Sequence, residues 1–396
     1  MREVDVAIVG GGLAGSTAAA MLGKAGCRVI LIDPHASSPA DFRCEKLDSP
    51  QARLLELTGL AEPVLRVATF DREVWVARFG RLLEKRPGDQ YGILYADLVN
   101  SIRAQIPRCV EFIQGKVTAI STTSDRQRLG ISDGSEISCR LVIMANGLNS
   151  GLRASLGMAR HEWGPCHSIS IGFDIKPANR PAFDFRALTY YGERVSDRAA
   201  YVTLFPIGSS MRANLFVYRD VRDPWLRQMR EEPQQTFLSL MPNLPKIIGD
   251  FAVTGPIQVR PADLYVTQDH RQPGVVLVGD AFATSCPAAG TGARKVFIDV
   301  ERLCHVYVPR WLASAGMGVE KIGAFYDDPL KRASDAYSHA KAVYMRAITV
   351  EPGLPWRLRR WARFLARLGL GTLRRWRERW TAAPRRSAVE VPAKSA

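Results

Sequence analysis

This 396-residue sequence lacks the cysteine and histidine patterns that mark disulfide or metal proteins. None of the seven cysteines forms a C-x-x-C pair, and most lie in predicted strands or beside apolar residues, which favours a reducing, cytoplasmic location. The six histidines are scattered without metal-ligand spacing, so we predict no metal site. Internal repeats and low-complexity segments are also missing, and their absence excludes solenoid architectures.

An uncharged run from Val6 to Gly23 is long enough to suggest a signal peptide or membrane helix. Its three consecutive glycines would break such a helix, and Glu3 and Asp5 stand where a signal peptide carries basic residues. We therefore assign the run to a soluble domain. With 46% hydrophobic residues, the chain can form two or three domains with large cores.

The formal net charge of +15 is concentrated at the C-terminal end. Residues 351–396 carry eleven arginines and one lysine against three glutamates, a net +9, which leaves +6 for the first 350 residues. Because the excess belongs to a tail rather than to the folded part, we expect no nucleic-acid partner.

The first motif is a glycine turn between a predicted strand and a predicted helix. The β-forming residues 6–9 run into G-x-G-x-x-G spacing, an alanine-rich helix follows, and a second strand ends at Asp33. Glycines here allow a tight turn, close approach of a pyrophosphate and close packing of helix on strand, while Asp33 is placed to accept from a ribose hydroxyl. The predicted nucleotide-binding residues are Gly10, Gly12, Leu13, Ala14, Gly15 and Asp33.

The middle of the chain does not continue a nucleotide-binding sheet. Residues 73–85 read as a hairpin, residues 110–143 as an antiparallel meander, residues 168–218 as a series of strands and residues 225–240 as a helix. These segments predict a second domain with a mixed or antiparallel sheet. Its aromatic residues either line a hydrophobic pocket or pack in the core: Tyr190, Tyr191, Tyr201, Phe205 and Phe216.

The second motif follows a buried strand at residues 274–279. The strand ends at Gly279-Asp280, a loop with Pro287 and Gly290 follows, and a helix begins near Gly292. An acid at a strand end can bind a polyol, and backbone N–H groups at a glycine-rich helix start can hold an anionic ring or phosphate.

The two motifs, with Asn146-Gly147 between them, resemble those of the class A flavoprotein monooxygenases, the family of para-hydroxybenzoate hydroxylase, over about residues 4–325. The resemblance implies that the first motif holds the adenosine part of FAD and that Asp280 holds the ribityl chain. It also implies that Arg43 contacts FAD. The residues matching the family's isoalloxazine border are Pro287, Gly290 and Gly292.

The sequence departs from this family at three positions. Asn146 replaces the acid of an Asp-Gly motif that serves both FAD and NAD(P)H, so FAD binding is expected, while the use of NADPH or NADH as electron donor is left open. Arg294 replaces an asparagine near the flavin pyrimidine, where a cation would stabilise a reduced, anionic flavin or else point to solvent. Tyr95 stands where an arginine often begins a helix.

The predicted fold is α/β, with a Rossmann-type FAD-binding domain of the glutathione reductase-like kind interleaved with a mixed or antiparallel β-sheet substrate domain and followed by a helical tail. The predicted domains are residues 1–70, 92–163 and 264–345 for FAD, residues 71–91 and 164–263 for substrate, and residues 346–396 for the tail.

The resemblance implies an FAD-dependent monooxygenase that transfers oxygen from a flavin C4a-hydroperoxide to an aromatic or lipophilic small molecule. No residue pattern identifies a catalytic base. A reductase or desaturase of the geranylgeranyl reductase kind is an alternative. A flavin-dependent halogenase is disfavoured because a W-x-W-x-I-P stretch is missing, and a non-catalytic, membrane-recruited flavoprotein is the remaining hypothesis.

The tail resembles that family least. Leucine and tryptophan residues recur at helical spacing from Leu354 to Leu368, with arginines on the other side, and the pattern continues loosely past Gly369 and Gly371. Residues 352–380 are therefore predicted to contact an anionic membrane surface or to dock on the enzyme itself. Nucleic acid or a protein partner is the lesser alternative for this helix.

Overall fold

The computed structural model describes residues 2–381, with side chains up to residue 373. Its strands are β1 (Arg2–Val9), β2 (Val29–Asp33), β3 (Lys46–Leu47), β4 (Thr69–Phe70), β5 (Glu73–Arg78), β6 (Arg81–Pro87), β7 (Tyr91–Gly92), β8 (Glu111–Gln114), β9 (Val117–Ser121), β10 (Gln127–Ile131), β11 (Glu136–Met144), β12 (Arg160–Pro177), β13 (Ala187–Tyr191), β14 (Ala199–Ile207), β15 (Ser210–Val217), β16 (Phe251–Thr267) and β17 (Val275–Leu277).

Helices connect and cover these strands. They are α1 (Leu13–Lys24), α2 (Ser49–Leu57), α3 (Ala61–Val67), α4 (Tyr95–Arg103), α5 (Gly151–Ser155), α6 (Pro224–Glu231), α7 (Pro233–Leu240), α8 (Pro245–Ile248), α9 (Gly292–Arg302), α10 (Val308–Leu312), α11 (Val319–Tyr326), α12 (Pro329–Val350) and α13 (Leu354–Thr381). No helix in this part of the chain is both long and apolar enough to cross a membrane.

The first sheet has seven strands and a parallel centre. β8, β2, β1 and β11 lie side by side in parallel, and β17 pairs in parallel with the end of β11, while β10 and β9 add an antiparallel extension. The central strands are covered on both faces, which is why their sequences are continuous apolar runs rather than alternating ones. The α/β fold class predicted from the sequence is confirmed.

The predicted antiparallel meander over residues 110–143 is divided differently in the structure. Its first segment forms two strands, of which β8 joins β2 in parallel and β9 pairs antiparallel with β10. Its last strand, β11, belongs at once to the meander and to the parallel centre. The pairing of β11 with β1 depends on contacts distant in sequence, which local periodicity does not contain.

The second sheet follows the order β16, β12, β15, β14, β13, β5 and β6, and its neighbours are antiparallel except for β13 and β5. Side chains alternate between its two faces. One face is apolar and packs in a core with α6, α7 and α8, as Ile171, Val202 and Leu215 do. The opposite face carries Ser170 and Thr203 toward the first sheet. The division into two interleaved domains stays a prediction.

Residues 225–240, predicted as one helix, form two. α6 ends at Glu231, and Pro233 opens α7. Proline has no backbone N–H and disfavours helical geometry at the residue before it, so Glu232 breaks the helix.

The tail forms one continuous helix, α13, through the two glycines that the sequence pattern treated as interruptions. Phe364 is 9% exposed and packs edge-on against Phe79, with ring centroids 5.4 Å apart, while Gly371 lies against the Leu83 carbonyl of β6. The helix therefore docks on the enzyme. Beside this contact a stripe of large apolar side chains stays at least 49% exposed, although the Trp361 ring also stacks on Phe79: Leu354, Leu358, Trp361 and Leu365.

Candidate cofactor and substrate site

The candidate site lies at the carboxyl edge of the parallel strands. Val9 pairs with Met144, and Met144 pairs with Leu277, so the loops after β1, β11 and β17 start side by side. Asp33, the last residue of β2, lies one strand further along. Ligands of open α/β sheets bind at this edge, outside the strand ends.

The glycine loop after β1 holds the chain close to its neighbours. Gly10 has a φ of +100°, and a Cβ there would lie 2.7 Å from the Ala145 carbonyl oxygen. A Cβ on Gly15 would collide with the Gly10 carbonyl oxygen. α1 begins at Leu13 with no side-chain cap and no acidic residue in its first turn. Such a helix start favours an anionic group, and it fits a dinucleotide diphosphate.

Asp33 fixes this loop from the neighbouring strand. Its carboxylate, 9% exposed, accepts hydrogen bonds from the backbone N–H of Gly11 at 2.6 Å and of His35 at 2.9 Å. The Arg103 guanidinium lies 3.3 Å from Asp33 and donates to the Gly11 carbonyl at 2.6 Å. Arg103 is not predicted from the sequence, because one arginine in the last turn of a helix has no distinguishing pattern.

Asp280 stands at the start of the loop after β17. Its side chain is 37% exposed and lies 3.6 Å from the Arg43 guanidinium, while its carbonyl accepts from the Tyr265 hydroxyl at 2.8 Å. The Arg43 guanidinium lies over the Tyr95 ring, 5.6 Å from its centre. The Tyr95 hydroxyl accepts a hydrogen bond from the Leu13 N–H at 3.3 Å. Tyr95 thus links the two predicted cofactor motifs.

A buried ionic network lies behind the Gly279-Asp280 turn. Asp299, fully buried, accepts from the Gly279 N–H at 3.2 Å and from Lys331 at 3.0 Å. Lys295 lies 3.2 Å from Asp335 and 3.7 Å from Asp299. Burial opposes the charge of Lys295, but the two carboxylates outweigh it and raise its pKa. These charges neutralise one another and anchor the turn that presents Asp280.

Asn146, the amide in place of the family's acid, is engaged within its own loop. Its amide nitrogen donates to the Asn149 carbonyl at 3.1 Å, and its oxygen lies 3.4 Å from Arg153. Arg153 is buried and also donates to the Gly147 carbonyl at 2.9 Å. The amide therefore supports the loop's conformation, and its donation to the Asn149 carbonyl is a contact that an ionised acid at this position could not make.

A cavity of about 320 Å3 joins the cofactor loops to the polar face of the second sheet. Hereafter we call it the flavin-side cavity. The predicted cofactor residues that line it are Leu13, Arg43, Asp280, Pro287, Gly290 and Gly292. The sheet contributes Ser170, Tyr201, Thr203, Asn214 and Phe216. Of the aromatic residues considered for a pocket, Tyr201 and Phe216 are thus in the wall, whereas Tyr190 and Phe205 are buried in the core.

Arg294 does not reach this cavity. Its guanidinium lies 5.3 Å from the centre of the Tyr337 ring on α12, and its Nε is buried without a hydrogen-bond partner within the described chain. The proposed contact of Arg294 with a flavin edge stays a prediction. The remaining predicted residues, Gly10, Gly12, Ala14, Gly15 and Asp33, lie at the glycine loop.

Three buried polar atoms in the cavity wall have no partner among the described residues: Glu45 Oε2, Ser170 Oγ and Asn214 Oδ1. The last two belong to the polar face of the second sheet, where Ser170 pairs with Phe216 and Gly172 pairs with Asn214. Leaving a buried polar atom without a partner costs about 1–3 kcal/mol, so such atoms call for a bound hydrogen-bonding group. A hydroxyl can donate to the amide oxygen and accept from the serine.

Lys46 is the titratable cation at one end of the flavin-side cavity. Burial lowers the pKa of its ammonium group to about 8, although Asp71 and other carboxylates oppose the shift. Burial also raises the pKa of Asp71 to about 6. A lysine with a pKa near 8 is partly neutral under mild alkaline conditions and can then accept a proton from an acidic hydroxyl.

Comparison with known proteins agrees with this geometry. Residues 3–86 and 93–305 match a family model described as FAD binding domain. The chain is 28% identical to the 3-demethoxyubiquinol 3-hydroxylase of Escherichia coli (strain K12) over 331 residues, which cover 78% of this chain and 80% of that protein. It is 25% identical to the squalene monooxygenase of Mus musculus over 322 residues, covering 76% and 54%.

Among solved structures, the chain is similar to p-nitrophenol 4-monooxygenase PnpA from Pseudomonas putida DLL-E4, with a TM-score of 0.74, 17% identity and coverage of 92% of this chain and 94% of that one. At this identity the likeness shows the shared fold. The predicted fold, with its cofactor sheet, second sheet and C-terminal helices, is confirmed.

The buried network predicts a large stability cost for Asp299→Asn. The neutral amide keeps the size of the side chain but leaves the excess charge of Lys331 and Lys295 buried, and we expect the free energy of unfolding to fall by about 3–5 kcal/mol. Urea unfolding measures this loss. Asp327→Asn, which removes an exposed pair with Arg271, is the matched control and should cost less than about 1 kcal/mol. Equal losses would contradict the role of the network.

The lowered pKa of Lys46 predicts a specific dependence of stability on pH. Between about pH 8 and its ordinary pKa of 10.5, the unfolded chain keeps a proton that the folded chain has released, so folding becomes more favourable as pH rises. From pH 7.5 to 9.5 the wild type should gain about 1–2 kcal/mol relative to Lys46→Gln. Urea unfolding at both pH values tests this, with exposed Lys116→Gln as control; parallel behaviour of Lys46→Gln and wild type would reject it.

Proposed function

The chain belongs to the FAD-binding-domain family of class A flavin-dependent monooxygenases, and we propose that it hydroxylates a phenolic or quinolic ring carried by a lipophilic molecule. It is an FAD-dependent oxidoreductase. Bound FAD supplies the activation of dioxygen for transfer of one oxygen atom. The protein's own contribution is to bind, orient and shield the reacting ring.

The residues of the carboxyl edge would hold the cofactor. The glycine loop and the uncapped start of α1 would bind the diphosphate, and Asp33 would accept from the adenosine ribose. Asp280 would bind the ribityl chain, with Arg43 beside it. The isoalloxazine would then border the Pro287 loop, which lines the same cavity as the second sheet.

The observation that carries the substrate class is the pair of unpartnered polar atoms on the second sheet, Ser170 Oγ and Asn214 Oδ1, which share the cavity wall with the aromatic rings of Tyr201 and Phe216. A ring hydroxyl would satisfy both atoms, and Tyr201 and Phe216 would contact the ring. Lys46, in its neutral form, would take the proton of this hydroxyl and so make the ring more electron-rich. The names of relatives that act on a ubiquinol and on squalene support a lipophilic substrate with a ring or double bond.

We further infer that NADPH or NADH reduces the cofactor. This donor is usual in the family, and the Arg153 contacts described above preserve the loop around Asn146 despite its missing carboxylate. Without that acid, binding of NADPH or NADH would depend on cationic side chains at this loop, such as Arg153.

Oxygen uptake tests the proposed function directly. The purified protein should retain FAD, and 4-hexylphenol but not hexylbenzene should stimulate both NAD(P)H oxidation and incorporation of one 18O atom from labelled dioxygen. Ser170→Ala/Asn214→Leu should lower kcat/KM for the phenol about tenfold or more, because the ring hydroxyl loses its partners. Reduction of a substrate double bond without oxygen uptake would assign the reductase alternative instead.

A glycine pair provides the matched control for cofactor binding. Gly15→Ala places a methyl group against the Gly10 carbonyl and should weaken FAD binding about tenfold or more, whereas Gly369→Ala on α13 meets only open space. Retention of FAD by Gly15→Ala, measured by flavin absorbance after gel filtration, would contradict the assigned cofactor site.

We also propose that the exposed apolar stripe of α13 contacts an anionic membrane surface. Leu358 and Leu365 are 61% and 57% exposed, and two arginines of the same helix that do not line the arginine cavity, Arg357 and Arg359, are exposed as well. Apolar side chains beside basic ones suit the boundary between acyl chains and anionic headgroups. A docked helix with an outward stripe would hold the enzyme at that surface.

Sedimentation with phosphatidylglycerol vesicles tests this contact. Leu358→Glu/Leu365→Glu should reduce the bound fraction about fivefold or more, since charged side chains cannot enter the apolar layer. Leu57→Glu/Leu330→Glu, at positions 61% and 58% exposed elsewhere, is the control and should bind as the wild type does. Equal binding of all three proteins would reject the membrane role of the stripe.

A further inference from the structure

A second cavity, of about 350 Å3, lies between the second sheet and the two C-terminal helices. Hereafter we call it the arginine cavity. The cationic side chains that line it are Lys46, Arg78, Arg194, Lys341, Arg360, Arg363 and Arg367. No aspartate or glutamate lines it in the part of the chain that is described, and Arg194 alone of the seven has a carboxylate within ion-pair distance there.

Backbone carbonyls hold two guanidinium groups of this cavity, that of Arg78 on the second sheet and that of Arg360 on α13. Arg78 donates to the Gly192 carbonyl at 3.0 Å, and Arg360 donates to the Glu351 carbonyl at 2.8 Å. Burial and the proximity of Arg360 lower the pKa of Arg78. These carbonyl contacts fix the positions of two like charges, while Glu193, which does not line the cavity, only partly offsets the charge of Arg78.

The helix side is built in the same way. Arg363 donates to the Tyr344 hydroxyl at 2.7 Å, and the Arg367 guanidinium lies 5.0 Å from the centre of the Tyr191 ring. Lys341 of α12 also lies over an aromatic ring. Aromatic faces and hydroxyls orient cations while leaving their charge available to a ligand.

The arginine cavity adjoins the flavin-side cavity. Lys46, Tyr201 and Thr203 line both of them. Beyond these shared residues the arginine cavity has apolar walls, formed by Leu83, Ala199, Ala200, Met345, Ile348 and Phe364. A molecule that spans the two cavities would therefore pass from a polar pair at the sheet, along apolar walls, to a group of cations.

We propose that the arginine cavity binds the anionic end of the substrate, a carboxylate or a phosphate, while the ring lies in the flavin-side cavity. This inference rests on the proposed function, because it assigns the far end of the same molecule. Several cations without paired carboxylates are unfavourable close together, and a bound anion relieves their repulsion. The substrate is therefore a lipophilic acid rather than a neutral lipid.

The walls distinguish this ligand from other sources of the same charge. An inorganic anion or the phosphate of NADPH would satisfy the arginines but would leave the apolar walls beside them uncovered. A hydrocarbon chain with an acidic end group matches both features. The shared lining at Lys46 and Tyr201 places the ring site next to the cavity that would hold this chain.

Calorimetric titration of the FAD-loaded enzyme with decanoate tests the proposal without requiring turnover. Decanoate should bind about tenfold tighter than decan-1-ol, and Arg363→Ala/Arg367→Ala should weaken decanoate binding about tenfold or more. Arg357→Ala/Arg359→Ala removes the same charge from α13 at exposed positions outside the cavity, and it should change the affinity less than about twofold. Lys341→Gln on α12 provides an independent variant and should weaken binding severalfold.

Two outcomes would overturn the proposal. Equal affinity for decanoate and decan-1-ol would show that the cations of the arginine cavity do not bind the carboxylate. Loss of 2′,5′-ADP or inorganic phosphate binding in Arg363→Ala/Arg367→Ala, with decanoate binding unchanged, would assign the cavity to the electron donor or to free anions. Phenol-dependent oxygen uptake is measured in a separate experiment. Absence of oxygen uptake would contradict the proposed function, whereas the two binding outcomes above would contradict this inference.

Discussion

The parallel register of β1, β11 and β17 is the constraint on which the site depends. It places Val9, Met144 and Leu277 side by side although each is more than 130 residues from the next. Only this alignment brings the glycine loop, the Asn146 loop and the Asp280 loop to one edge. The cost of closing such long loops is repaid by continuous apolar strands buried on both faces.

The second sheet works because a strand presents alternate residues to opposite faces. Its apolar face is covered by α6, α7 and α8 and forms a core with them. The opposite face is not needed for that core, so it can carry polar groups that line the cavity. Ser170 and Asn214 occupy that face beside aromatic rings, and their unpartnered atoms give the cavity its chemical character. The sheet thus supplies both a rigid wall and a small set of hydrogen-bonding groups.

The cations of this protein have two kinds of surroundings: some are paired with carboxylates, and others are held by neutral groups. Behind Gly279, Lys295 and Lys331 are matched by Asp299 and Asp335, and the result is a fixed turn. In the arginine cavity, carbonyls, hydroxyls and rings orient the cations but leave their charge unmatched within the described residues. A matched network stabilises a fold, whereas an unmatched group of cations favours binding of an anion.

The two cofactor motifs could be predicted from the sequence because Gly10, Gly15, Asp33 and Asp280 are local signals, each at a turn or a strand end, and their contacts with FAD stay a prediction. The sequence also predicted the helical tail from apolar periodicity. Three features depend on contacts between residues distant in sequence. These are the meeting of the loops at one edge, the pairing of β8 and β11 within the parallel sheet, and the docking of α13 over a second cavity. Arg103 and the arginine cavity escaped prediction because their partners are brought near by folding, and contacts between distant residues leave no periodicity in a single sequence.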